Sequence, residues 1–337
     1  MLLPSTHQAA VLLLALSFVC LGSWGNLFKL ARWRFELFYL DFALGALLLS
    51  AGAAFSLGTL GSELSFNDRI AVAGLRSQAF AISGGFVFSI GNMLLVAGIS
   101  LTGMAVAFPL TLGIALIVSA GISFIGANLT FLIIGSALVL ASVLASVMAA
   151  MSRNEVKPAT QRQVVRTLAT RANKGTAVAV IGGILIGIAY PLAEHGFWGD
   201  LGLGAYAGVL MFCLGLLAST ALFGIFFMNM GIEGGRVAIT AYPKGSAKQH
   251  ALGVFSGVVW ALGFLASLLA QSVPAVVAPA ESDLILWTQG AVLLAFIWGL
   301  LAWKEFQGST SRGKFSISLA ALLFVSGLFV LAFRFQT

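Results

Sequence analysis

The sequence predicts an all-α polytopic membrane protein with ten transmembrane helices arranged as a 5+5 inverted-topology repeat. Three observations carry that expectation. Of the 337 residues, 60% are hydrophobic and only 9% are charged, whereas soluble domains carry about 25% charged residues. Mean hydropathy is +1.03, and the apolar runs recur at roughly the 20-residue length that crosses a bilayer as a helix. They lack the every-second-residue alternation of a membrane barrel. The one long polar run, residues 152–175, splits the chain into nearly equal halves with five apolar runs on each side.

Taken in order, the first span covers residues 9–30. No basic residue precedes it and its apolar run exceeds a signal-peptide core, so it is expected to be retained. A short basic turn leads to the second span, 38–58, and the third, fourth and fifth cover 79–98, 103–124 and 129–151. After the linker come 176–193, 203–229, 250–271, 284–303 and 316–335. The expected organisation is a first half over 1–151, a basic linker over 152–175 and a second half over 176–337. Glycines cluster in the third span at Gly84, Gly85, Gly91 and Gly98, and in the eighth at Gly253, Gly257 and Gly263. Small residues let helix backbones approach closely, so packing explains them without a ligand.

Charge sets the expected orientation. Fifteen of the eighteen Lys and Arg residues fall in or beside connections 1–2, 5–6, 7–8 and 9–10; Arg69, Arg76 and Arg334 lie on the other side. Positive residues near span ends stay in the cytoplasm, which predicts a multi-pass inner (plasma) membrane protein with both termini outside and the linker cytoplasmic. Five spans per half then make the halves enter the membrane in opposite senses, the arrangement of an inverted repeat. The net charge of +7 lies at helix ends, which predicts no nucleic-acid partner. The lipid bilayer and a small-molecule solute are the expected partners, and a homodimer is an open expectation.

Enzymatic chemistry finds no support in the pattern. His7, His195 and His250 are solitary, Cys20 and Cys213 sit far apart in apolar runs, and no Gly-x-Ser-x-Gly is present. No metal and no cofactor are expected, a proton gradient being the anticipated energy source.

Polar and aromatic groups deep in a membrane are costly, so they are the candidates for a solute path. Asn92 in the third span offers amide donors and an acceptor, the complement of a carbonyl, urea or hydroxyl. Trp260, near the centre of the eighth span, presents an indole that can stack on a nucleobase or a sugar ring. Trp24 and Asn26 lie toward the inner end of the first span, where interfacial anchoring is the competing role. Thr111 follows Pro109, and Tyr190 precedes Pro191; both prolines break the helical ladder. Gln289 and Trp298 complete the expected substrate-binding set. Asp41, Glu194 and His195 are the candidates for proton coupling, with helix capping as the alternative role. A central cavity lined by helices 1, 3, 4, 6, 8 and 9 is expected.

The stretch LGSWGNLFKLARWRFELFYLDF, with Trp24 ending the first span and Tyr39, Leu40 and Asp41 opening the second, resembles the ureide permease family of the drug/metabolite transporter superfamily. The SIGNMLL patch, with Gly91 and Asn92, is similar to that family's third helix, and bacterial rhamnose-proton symporters and glucose-uptake porters share the pattern. The resemblance implies a ten-span secondary transporter importing a small neutral polar metabolite such as a ureide, nucleobase or sugar, commonly with protons. The linker holds no Gly-x-x-x-x-Gly-Lys-Ser/Thr loop, so ATP-driven transport is not expected. Efflux of amphipathic compounds is the alternative within transport; a scaffold or receptor that moves no solute is the alternative outside it.

Overall fold

The computed structural model describes residues 1–61, 64–123, 128–152, 162–199, 201–274 and 278–333, with backbone only for 162–171 and 281–282. Ten helices among them are long and apolar enough to cross a membrane. The first span is α1, His7–Ser23, continued by α2, Gly25–Ala31. Next come α3, Phe35–Phe55; α4, Phe66–Thr102; α5, Met104–Ile122; and α6, Leu129–Ser152. The second half holds α7, Arg162–Phe197; α8, Gly204–Met230; α9, Ala247–Gln271; α10, Glu281–Ile297, prolonged by a π turn Trp298–Ala302; and α11, Ser311–Ala332.

Local chemistry explains the ends. Thr6, Ser65 and Thr310 accept from the backbone N–H three residues on and start α1, α4 and α11. Ser246 and Gln249 form a reciprocal capping box that starts α9 after the short 3-10 helix Ile239–Lys244. A single residue, Gly103 at φ 93°, joins α4 to α5.

Two spans start earlier than hydropathy suggests. The polar stretch 67–78 conceals the first turns of α4, which breaks at Gly74 (φ 68°) before the membrane-crossing part. Likewise α7 reaches back through basic residues to Arg162, so the end of the expected linker is helical, while 153–161 lie outside the described residues.

Each helix is apolar on both sides. Leu48, Leu144, Leu222 and Leu322 point outward, while small and aromatic residues fill the inside. Such helices carry no amphipathic stripe.

The halves meet through matched close approaches. Gly45 of α3 abuts the Val254 carbonyl of α9, and Gly215 of α8 abuts the Ile82 carbonyl of α4. In turn Gly257 of α9 abuts Phe42 of α3, and Gly85 of α4 abuts Phe212 of α8. A Cβ at Gly45, Gly257 or Gly85 would lie 1.9 Å from the facing oxygen, and at Gly215 2.0 Å. Only glycine permits backbones this close. The outermost pair repeats the correspondence: Gly135 of α6 faces Leu331 of α11, and Gly327 of α11 faces Val139 of α6.

Candidate functional site

At the centre of the bundle, α3 crosses α9 and α4 crosses α8, and the crossings bring aromatic rings together. Trp260 stacks on Phe88 with centroids 4.9 Å apart, on Phe264 at 5.3 Å and on Phe212 at 6.2 Å, and Phe42 tilts against it at 5.8 Å. Phe42 also meets Trp24 at 5.2 Å and Tyr39 at 4.9 Å, and Trp24 meets Phe108 of α5 at 5.8 Å. Trp24, Tyr39, Phe42 and Trp260 are all buried.

Polar groups enter this cluster sparsely and in pairs. Asn92 Nδ2 donates to the Tyr39 hydroxyl at 3.0 Å, and the Ser256 hydroxyl donates to the Trp24 carbonyl at 3.1 Å. Ser89 and Thr220 share a hydrogen bond of 2.9 Å between α4 and α8. An apolar site with a few placed donors and acceptors is the usual constitution of a small-molecule site. Flat rings and an amide suit a planar, uncharged polar solute.

The structure brings Trp24, Asn92 and Trp260 together around Tyr39 and Phe42. Asn26 and Trp298 form a second group: Trp298 Nε1 donates to Ser23 Oγ at 3.1 Å, and Asn26 Oδ1 accepts from Trp303 Nε1 at 2.7 Å. Trp298 is 38% exposed, which fits an interfacial anchor. Thr111 is fully buried on α5, its hydroxyl without a hydrogen-bond partner among the described residues. Tyr190 of α7 faces Gln271, and Gln289 is half-buried on α10. Glu194 is half-buried near the end of α7; His195 is exposed there, its Nδ1 2.7 Å from the Pro191 carbonyl. The sequence reading leaves the second and seventh spans, here α3 and α8, out of the lining, yet they supply Tyr39, Phe42 and Phe212. Their aromatic residues look like ordinary lipid-facing ones until the crossings are known.

Connections 1–2, 7–8 and 9–10 gather at one end of the bundle, the basic face. Among the described residues, two ion pairs and one histidine–carboxylate bridge join the halves there. His250 Nδ1 lies 2.8 Å from Asp41 Oδ2, and the Tyr242 hydroxyl donates to Asp41 Oδ1. Trp33 stacks on Tyr242 at 5.9 Å and meets His250 edge-on at 4.9 Å, closing the group. Desolvation, and after it the hydrogen bond to Asp41, holds the Tyr242 phenol above its ordinary range.

Arg34 bridges next, with Nη2 2.8 Å from Glu36 Oε1 and Nε 3.1 Å from Glu233 Oε2. Burial, and to a smaller degree the Glu36 charge, push the Glu233 carboxyl above its usual range, outweighing the opposing pull of Ser100 and Arg34.

Third, Glu305 pairs with Lys29 and accepts from the N–H groups of Met104 and Ala105, each at 2.8 Å, so it caps α5. A Cβ on Gly103 would sit 2.6 Å from Glu305 Oε2, so this cap requires glycine there. Between the bridges lies a polar cavity of about 460 Å³ lined in part by Lys29, Arg32, Trp33, Ser100 and Glu233.

At the opposite face the Met1 amine donates to the Leu64 carbonyl at 3.4 Å. Leu2 donates its N–H to the Leu57 carbonyl at 2.9 Å and accepts from the Tyr206 hydroxyl at 2.8 Å. Ser77 donates to the Leu201 carbonyl at 3.1 Å.

Comparison with known proteins finds a partial likeness to one permease. The chain is 28% identical over 131 residues to Ureide permease 4 of Arabidopsis thaliana, a stretch of 37% of this chain and 33% of that one. The match thus spans about a third of the length of that curated relative. No family model matches the chain. A solved structure described as "Crystal structure of protein" superposes with a TM-score of 0.52 at 15% identity, covering 98% of this chain and 99% of that one. At that identity the likeness shows the fold alone. Over that stretch the chain is similar to a permease, and ten of its helices are long and apolar enough to cross a membrane.

Proposed function

We propose that the protein is a secondary transporter importing a small neutral polar metabolite, with a ureide or nucleobase ahead of a sugar, and that import draws on a proton gradient. The observation that carries this reading is the central cluster, in which Trp260, Phe42 and Phe88 offer flat apolar faces beside the Asn92–Tyr39 amide and hydroxyl. A planar solute with carbonyl and N–H edges matches both parts, and it carries no charge that the uncharged centre would have to compensate. The name of the similar permease, a ureide permease, fits the same solute class.

Matched glycine approaches between the halves support a 5+5 inverted repeat, with α3 and α8, and α4 and α9, as counterparts. Alternating access follows if one half rocks against the other about the central crossings. The excess of Lys and Arg at the basic face supports its facing the cytoplasm, with both termini outside. In that orientation the solute is released past the Asp41, Arg34 and Glu305 bridges into the polar cavity.

The test is uptake of radiolabelled allantoin, uracil, rhamnose and glucose into proteoliposomes, with and without an inward proton gradient, using Asn92→Ala for comparison. Gradient-stimulated uptake of allantoin or uracil, lost in Asn92→Ala at equal protein level, is expected. Uptake of the sugars alone would move the assignment to sugar transport, and uptake of none by folded protein would overturn it.

A further inference from the structure

We propose that Asp41 is the proton-binding residue of the transport cycle, that His250 delivers the proton to it from the basic face, and that protonation opens this face. The inference rests on the transporter reading above and names the group through which protons act.

Placement comes first. Tyr39, Asp41 and Phe42 occupy a single turn of α3. Tyr39 and Phe42 belong to the aromatic centre, while Asp41 points to His250 and Tyr242 of the second half. Any motion of α3 that follows a change at Asp41 must therefore move two members of the solute site. Glu36, Glu233 and Glu305 are tied at helix ends instead: their bonds go to Arg34, Ser100, Lys29 and backbone.

Valence comes second. Each Asp41 oxygen accepts one hydrogen bond, from the Tyr242 hydroxyl and from His250 Nδ1–H. An ionised carboxylate offers only lone pairs, so both donors are held while it is charged. When the Nδ1 proton passes to Oδ2 the bond reverses, Oδ2–H donating to Nδ1, and the charge-assisted bridge from α3 to α9 becomes a neutral, weaker one.

Access comes third. Asp41 is buried, whereas the His250 side chain is 29% exposed. The imidazole takes a proton from solvent at Nε2 and passes the one on Nδ1 to Asp41, so charge is conserved and no other reactant is needed. Trp33 and Tyr242 pack on the ring and fix its orientation.

Neighbouring charges do not compete for the site. Lys244 of the 3-10 helix and Lys248 of α9 are exposed to solvent. Lys29 is engaged by Glu305, Arg34 by Glu36 and Glu233, and Lys174 of α7 by the Gly231 carbonyl. Asp68, Arg69 and Arg76 of α4 lie at the opposite end of that helix, and on α8 the Tyr206 hydroxyl is given to Leu2.

Hydrogen exchange of the full-length protein in nanodiscs, without solute, tests the switch. Protection factors over residues 239–252 should fall at least tenfold between pH 8 and pH 5 in the wild type. Asp41→Asn should show low protection at both values. Equal protection at both pH values in the wild type, or a persisting transition in Asp41→Asn, would overturn the proposal. Should Asp41→Asn fail to fold, Tyr242→Phe decides: loss of one donor to the carboxylate should move the transition midpoint to higher pH, and an unmoved midpoint counts against Asp41. In proteoliposomes Asp41→Asn should retain exchange of the panel solute while losing stimulation by the gradient; stimulation that survives also overturns it. Absence of uptake by the wild type counts against the transport reading, whereas absence of the pH transition counts against Asp41.

Discussion

The two ends of the bundle are closed by different chemistry. At the basic face, the ion pairs Lys29–Glu305 and Arg34–Glu233 and the Asp41–His250 bridge tie the halves together. At the opposite face hydroxyl-to-carbonyl bonds join the halves, from Tyr206 to Leu2 and from Ser77 to Leu201. A charged bridge responds to protons and salt and is costly to half-break; a hydroxyl-to-carbonyl bond responds to neither. The ion pairs described between the halves thus gather at one end, while the shared centre is held by glycine crossings.

Glu305→Ala challenges this contrast most strongly. The change strands Lys29 and uncaps the Met104 and Ala105 N–H groups, so about 3–5 kcal/mol of stability should be lost in thermal unfolding in detergent, the scale for breaking a buried pair. A loss under about 1 kcal/mol would mean that the pair is merely a solvated surface contact.

Next comes Gly257→Ala, whose Cβ would lie 1.9 Å from the Phe42 oxygen and must push α9 from α3. A cost of about 1–3 kcal/mol is expected, and Gly85→Ala should match it at the counterpart crossing of α4 and α8. Unequal costs measured in the same melts would count against equivalent halves.

Tyr206→Phe should cost about 1 kcal/mol, the net worth of one neutral hydrogen bond. That loss should be the same at low and high salt, whereas the effect of Lys29→Met at the basic face should shrink as salt rises.

The smallest effect concerns Glu233. Its folded-state carboxyl is raised above the ordinary value of 4.5, so the protonated form fits the site better. The stabilising contribution is full below the ordinary value and is lost as pH rises through the raised one. Glu233→Gln should remove that decline and flatten the pH–stability profile above about pH 4.5. An unchanged slope would place the titration elsewhere.

Much of the fold was legible because a bilayer imposes length: apolar runs near 20 residues mark spans whatever their packing. Hydropathy falls silent where helices extend beyond the hydrocarbon. At the start of α4, Asn67, Asp68, Arg69, Arg76 and Gln78 interrupt the apolar pattern although the backbone is already helical. The basic start of α7 hides its first turns in the same way.

The site was legible in part. Trp24, Asn92 and Trp260 stand out because an indole or an amide in mid-span is conspicuous against leucine and glycine. Tyr39, Phe42, Phe88 and Phe212 do not stand out, since an aromatic ring in a span reads the same whether it faces lipid or a neighbouring helix. Asp41 was visible as a lone carboxylate, but its partners were not. Tyr242 and His250 lie 201 and 209 residues away in sequence, and no periodicity joins them to it. Asn26 and Trp298 show the converse: polar or amphipathic residues near a span end serve a local network as readily as a solute.

Counterflow of radiolabelled allantoin and uracil decides where the solute sits, in proteoliposomes made with the wild type, Trp260→Ala and Trp298→Ala at equal protein level. If solute is held against the central rings, Trp260→Ala abolishes counterflow and Trp298→Ala retains it. Counterflow that survives Trp260→Ala and is lost in Trp298→Ala would refute the central site and move the solute path to the Ser23–Asn26–Trp303 side of the bundle.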